Sequence, residues 1–225
     1  MAVIALIPAA GLGARFHDSG PKALVSLAGR PFLVHALERL AASGRVDRAV
    51  VAVSPGHEPA FAAALAGFAA MPVATTPGGE TRRDSVVAAG RASGAGDDDL
   101  LCVHDAARPL VDPEDVAAVV AAAAEHGAAL AGSPVPDTVE RVKDGVVVET
   151  VPRHDLFAAA TPQVMRAGLL RQAVEEGLTD ATDDVELLER RGVSVRTVAT
   201  SRWNVKITYP EDLERAEAWL AAARR

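Results

Sequence analysis

The sequence predicts an α/β fold with a mostly parallel sheet covered by helices on both faces. Short β-branched runs alternate with alanine- and leucine-rich segments of helical length, and that alternation of strand and helix implies a mostly parallel sheet covered on both faces. A chain of 225 residues that is 49% hydrophobic has enough material for a substantial core.

Strands are expected at 2–8 ("AVIALIP"), 48–54 ("RAVVAVS"), 71–76 ("MPVATT"), 100–105 ("LLCVHD"), 128–135 ("AALAGSPV") and 193–198 ("VSVRTV"). Helices are expected at 31–43, 57–69, 82–93, 113–126, 165–177, 183–191 and 210–223. Asp112-Pro113-Glu114 and Pro210-Glu211-Asp212 mark two helix starts, with proline in the first turn and carboxylates near the amide end. One segment breaks the rhythm. Residues 137–153, "DTVERVKDGVVVETVPR", carry two alternating runs around Asp144-Gly145, a pair suited to a type I′ hairpin turn. A two-stranded ribbon bearing Val139, Val142, Val146, Val148 and Val151 is marginal alone, so it needs a partner surface, in the same chain or across a dimer. No linker or repeat divides residues 1–225, and a single domain with an inserted arm is expected.

Charge and composition exclude some functions. The formal net charge of -7 argues against nucleic acid and anionic membranes as partners, though it leaves room for a locally basic pocket. The single cysteine, Cys102, excludes an internal disulfide framework and multi-cysteine metal sites, and its apolar setting reads as a buried thiol. The apolar N-terminus lacks the positive start of a signal peptide and is interrupted by Pro8, so a cytoplasmic protein without a membrane span is expected. The six histidines show no zinc spacing, and no G-x-S-x-G elbow is present.

The chemistry starts at "PAAGLGARFHDSGPKAL", residues 8–24. A dinucleotide fingerprint beginning at Gly11 and Gly13 meets Phe16 where its third glycine belongs, and a Walker loop requires Ser or Thr where Ala23 stands. What remains is a strand, a small-residue loop open to a phosphate, and two cations, Arg15 and Lys22. A second stretch, "LLCVHDAARPLV", brings Asp105 out at the carboxyl end of a strand, where open α/β sheets bind ligands. Read alone, Asp105 either holds Mg²⁺ among phosphates or caps the following turn, and Arg108 serves a phosphate or an ion pair. A third, "PGGETRRDSVVAAG", sets a glycine turn before a helix start. "ATPQVM", with Arg153 upstream, and "WNVKITYPEDL", with Lys206, add further cations; singly, such residues are usually solvated charges.

In this order the stretches resemble the 2-C-methyl-D-erythritol 4-phosphate cytidylyltransferases of the non-mevalonate isoprenoid pathway. "GGETRRDSV", "VHDAARP", "PVPDTVER", "VPR", "ATPQ", "TDD" and "NVKITYPEDL" extend the likeness over nearly the whole chain. The resemblance implies a Rossmann-like nucleotidyltransferase fold, a protruding β-arm that interlocks in a homodimer, and Mg²⁺-dependent transfer of CMP from CTP. It places Ala9, Ala10, Gly11 and Gly13 around CTP, with Arg15 and Lys22 on its phosphates. Gly79, Glu80, Ser85 and Ala106 would face the cytosine and ribose, and Asp105 would sit beside metal and substrate. Arg153 and Lys206 would hold methylerythritol phosphate, with Thr138, Arg108, Thr161 and Thr182 as further contacts. Glu80 stands where some relatives carry aspartate, and Phe157 where tryptophan is common. A cytidylyltransferase for a pentitol phosphate such as ribitol 5-phosphate is the nearest alternative reading; a sugar-1-phosphate nucleotidyltransferase and a non-catalytic nucleotide-binding protein are more distant ones.

Overall fold

The structure is a computed structural model that describes residues 1–11, 20–177 and 184–223. In chain order its elements are β1 (Val3–Ala9), a 3-10 turn (Lys22–Leu24), β2 (Ser26–Leu27), β3 (Arg30–Pro31), α1 (Phe32–Ala42), β4 (Arg48–Val53), α2 (Glu58–Leu65), β5 (Val73–Pro77) and α3 (Arg82–Ser93). There follow β6 (Leu100–Val103), α4 (Pro113–His126), β7 (Ala128–Pro134), β8 (Val139–Lys143), β9 (Val146–Val151), β10 (Phe157–Arg166), α5 (Ala167–Glu175), α6 (Asp184–Glu189), β11 (Arg196–Ala199) and α7 (Pro210–Ala223).

Among the described residues, seven strands form one sheet in the order β11-β7-β10-β6-β1-β4-β5. All neighbours are parallel except β10, which runs antiparallel to both β6 and β7. Alternation along β1 divides the core: Val3, Ala5, Ile7 and Ala9 pack with residues of α1, α2 and α4, whereas Ile4 and Leu6 pack with α3, α5 and α6. Both faces of the central strands are therefore covered, as a mostly parallel sheet requires. A smaller cluster joins Leu27, Phe32, Leu110, Ile207 and Ala216, seating α7 beside the β2–β3 ribbon. No helix among the described residues is long and apolar enough to cross a membrane.

Strand β10 departs from the sequence reading, which places no strand between the arm and the helix expected at 165–177. Its Ala158-Ala159-Ala160 run lacks β-branched residues, and Pro162 lies in its middle, both signals against a central strand. The structure accommodates the proline with a bulge: pairing to β7 is interrupted between Ala159 and Gln163. The helix starts only at Ala167. The hairpin follows expectation. Lys143 pairs with Val146, leaving a two-residue loop, and Asp144 and Gly145 both have positive φ (49° and 79°), the type I′ signature. Every residue from 140 to 150 is exposed, and among the described residues the ribbon pairs with no other strand.

Candidate active site

The parallel strands β1 and β6 are neighbours, and the sheet grows away from β1 in opposite directions before and after β6. That reversal opens a crevice beyond their carboxyl ends. A pocket of about 220 Å³ fills it, lined by the end of β1 (Pro8 to Gly11), Lys22 and Ala23, residues 79–82 with Ser85, residues 105–107, and Lys206. Its floor is built for close backbone approach. A Cβ on Gly78 would lie 2.5 Å from the Ala10 Cβ, and one on Gly79 would lie 2.2 Å from the Asp84 Cβ. Thr81 and Asp84 close a capping box at the start of α3. Buried Ser85 accepts the Gly79 N–H at 3.2 Å and donates to the Thr81 carbonyl at 3.1 Å, fixing the glycine turn against the helix. Across the pocket, the Lys22 N–H donates to the Gly11 carbonyl at 3.1 Å, and Ser54 Oγ donates to the Ala10 carbonyl at 2.7 Å.

Among the described residues, three cations and two carboxylates line this pocket: Lys22, Arg82 and Lys206 against Glu80 and Asp105. Asp105 is the hub. Its Oδ1 accepts from Arg82 Nε at 3.0 Å and its Oδ2 from Lys206 Nζ at 2.8 Å. Burial alone pushes the Asp105 pKa up, but the two cations outweigh it and hold the carboxyl well below the usual range. The backbone beneath is pinned as well. The Asp105 N–H donates to Thr161 Oγ1 at 3.0 Å, and Thr161 Oγ1 lies 3.1 Å from His104 Nδ1. His104 Nε2 lies 3.2 Å from the Arg108 carbonyl, which can only accept, so Nε2 carries the proton and Nδ1 takes the threonine's. Full burial lowers the His104 pKa to about 4 and keeps the ring neutral. Asn204 Nδ2 donates to the Thr161 carbonyl at 2.9 Å, Arg108 Nη1 to the Asn204 carbonyl at 2.8 Å, and the Ile207 N–H to the Ala107 carbonyl at 2.8 Å. The segment bearing Lys206 is thus laced to the one bearing Asp105.

A small-residue loop, a glycine turn and a buried carboxylate between two cations suit a nucleoside polyphosphate. The sequence pattern described as 2-C-methyl-D-erythritol 4-phosphate cytidylyltransferase (IspD) matches residues 3–222. The chain belongs to that family. A 2-C-methyl-D-erythritol 4-phosphate cytidylyltransferase of Ralstonia nicotianae is 44% identical over 97% of this chain and 92% of its own. One of Chromobacterium violaceum is 42% identical over 98% of both. The crystal structure of the Thermus thermophilus cytidylyltransferase of that name superposes with a TM-score of 0.80 at 35% identity, over 98% of this chain and all of that one.

Within this cytidylyltransferase fold, the pocket gathers Ala9, Ala10, Gly11, Lys22, Gly79, Glu80, Ser85, Asp105, Ala106 and Lys206, all singled out in the sequence. Thr161 lies behind Asp105, 3% exposed, and Arg108 is half-buried against Asn204; neither lines the pocket. Thr138 and Arg153 sit exposed at the foot of the arm and do not line it either. Gly13, Arg15 and Thr182 lie outside the described residues. Arg82 lies on the helix start that the sequence marks after the glycine turn, but its local pattern does not set it apart from Arg83 as the residue that lines the pocket. Asn204 was missed too; nothing in "RWNVK" distinguishes a buried asparagine from a loop one.

Proposed function

We infer that the chain transfers CMP from CTP to 2-C-methyl-D-erythritol 4-phosphate, giving 4-diphosphocytidyl-2-C-methyl-D-erythritol and pyrophosphate in isoprenoid precursor biosynthesis. The observation that carries this reading is the convergence of Lys22, Arg82, Lys206 and Asp105 on one pocket floored by Ala10 and the Gly78–Gly79 turn. The names of the relatives favour methylerythritol phosphate over ribitol 5-phosphate.

An oxygen of the substrate's phosphate, whose second pKa is about 6, attacks the α-phosphorus of CTP. A new P–O–P bond forms as the bond to pyrophosphate breaks, and no protein base is required. The chain contributes position and charge. Lys22, tied through its backbone to Gly11, meets the triphosphate together with Arg15, and Lys206 steadies the incoming phosphate. Gly79, Glu80, Ser85 and Ala106 face the base and ribose. Thr161 and Arg108 brace the Asp105 and Lys206 segments. Asp105 suits Mg²⁺, which takes one or two carboxylates plus phosphate oxygens: its cations keep it ionised, and each carboxylate oxygen has a second lone pair. Asp105 would hold the ion with the phosphates, and the ion would supply further positive charge there.

Residues 1–225 act as one nucleotidyltransferase unit with 137–153 as its arm. The unit is a homodimer whose arms carry Arg153 and Thr138 to the neighbouring pocket; Thr182, outside the arm, is a further substrate contact. Support comes from the exposure of Val142, Val146, Val147 and Val148, each more than half accessible. The need for CTP points to the cytoplasm. The test is pyrophosphate release with Mg²⁺, each of the four nucleoside triphosphates, and either methylerythritol 4-phosphate or ribitol 5-phosphate. Release is expected with CTP and methylerythritol phosphate; none with CTP and either acceptor sinks the reading. Lys22→Ala should lower kcat about a hundredfold with the CTP KM little changed, and unaltered turnover would remove Lys22 from the mechanism.

A further inference from the structure

Arg82 binds two carboxylates that come from distant parts of the chain. Its Nε donates to Asp105 Oδ1 at 3.0 Å and its Nη1 to Asp184 Oδ2 at 2.7 Å. Asp184, the first residue of α6, is a buried side chain with 1% exposure, and its backbone N–H donates to Gln163 Oε1 at 3.2 Å. Two carboxylates therefore share one guanidinium at the wall of the pocket. Burial works against the charge on Arg82, and the two carboxylates more than offset it, raising its pKa. Asp105 Oδ2 meanwhile accepts from Lys206, whose side chain is 46% exposed and also lines the pocket.

We propose that Arg82 is a positioning residue: by fixing one oxygen of Asp105 and neutralising Asp184, it aims the Lys206 ammonium into the pocket. The fork geometry is specific to arginine, since Nε and Nη1 lie in one plane and address two acceptors at once. With Arg82 gone, Asp105 Oδ1 and Asp184 Oδ2 both lose their guanidinium, and uncompensated buried negative charge rises beside the Asp105–Lys206 pair. Lys206 is then drawn back from where the second substrate's phosphate would sit. The role assigned to Lys206 rests on the cytidylyl-transfer reading; its placement does not.

The experiment separates the two. The chain has three lysines, Lys22, Lys143 and Lys206, so ¹³C-dimethylation gives a lysine NMR spectrum simple enough to assign with Lys143→Arg and Lys206→Gln. In Arg82→Gln the Lys206 signal should move and that of Lys143 should not. In Arg82→Gln with Asp184→Asn, where the second anion is also gone, it should move back towards the wild-type position. In turnover, Arg82→Gln should lower kcat/KM for methylerythritol phosphate about a hundredfold with a smaller change in the CTP KM, and the double variant should recover at least about tenfold. A purely structural role would damage both substrates alike and show no recovery. An unmoved Lys206 signal overturns the proposal, as does a double variant as impaired as the single one, because Arg82 would then act on substrate directly. If Arg82→Gln does not fold, Arg82→Lys with and without Asp184→Asn poses the same comparison. A wild-type protein inactive on every pair overturns the functional reading and leaves the NMR comparison to judge Arg82.

Discussion

A methyl group at Gly78 would meet the Ala10 Cβ at 2.5 Å, Ser85 Oγ at 3.0 Å and the Val53 carbonyl at 3.2 Å, three atoms of the pocket floor and its supports. None sits at the end of a long side chain, so the floor itself must move. Gly78→Ala should therefore raise the KM for CTP about tenfold or more with a smaller loss of kcat, measured by steady-state pyrophosphate release. An unchanged KM would show that the turn is not where the nucleotide lies. At this scale the sequence is legible wherever a residue type is informative by itself. Small residues after an apolar strand, and a carboxylate at a strand's end, are recognisable locally, and Ala9, Ala10, Gly11 and Asp105 line one pocket. Arg82 is different: its partners are 23 and 102 residues away, and an arginine whose partners are remote reads as a solvated surface charge. The hydrogen bond between His104 and Thr161 is hidden for the same reason, since it spans 57 residues.

Among the elements, the hairpin is the most local and the most readable. Asp144-Gly145 fixes the turn, and the alternation of valines fixes two strands. What local pattern does not reveal is the slip in register: Arg141 opposes Glu149 while Val142 opposes Val147, so Val148 is an extra residue in the ribbon. Val142, Val146, Val147 and Val148 are all exposed, an apolar ribbon that a lone chain in water has no reason to keep. Replacing these four valines by threonine keeps shape and strand preference while removing apolar surface. The quadruple variant should shift a dimer towards monomer in sedimentation at micromolar concentration, weakening association at least about tenfold. A monomeric wild type, or a variant as dimeric as the wild type, would sink the arm's role. Strand β10 shows the opposite case. Its alanines and Pro162 argue against a strand locally, and only pairing with both β6 and β7 makes it one.

Across the whole molecule, the buried polar network under Asp105 joins strands β6 and β10 to the segment before α7, so its protonation is part of folding stability. Asp105 has its folded pKa depressed below 3.8, so its contribution is present above that value and is lost only as pH falls further. His104 works in another window. Its folded pKa is lowered from 6.5 to about 4, so between these values the unfolded chain binds a proton that the folded chain refuses. Stability therefore falls as pH drops from 6.5 towards 4, by about 2 kcal/mol between pH 7 and pH 5. His35, buried against the Leu27 carbonyl at 2.8 Å, is also shifted down and adds to the same limb. His104→Asn isolates the first contribution. The asparagine offers Thr161 an acceptor but leaves the Arg108 carbonyl without its donor, so the variant should be less stable at pH 7. Its loss between pH 7 and pH 5, measured by urea unfolding with chelator present, should be smaller than that of the wild type by about 2 kcal/mol. Equal losses in the two proteins would mean that His104 takes up its proton in the folded state. The ring could then no longer accept from Thr161, and the pinning of Asp105 described above would have to be redrawn.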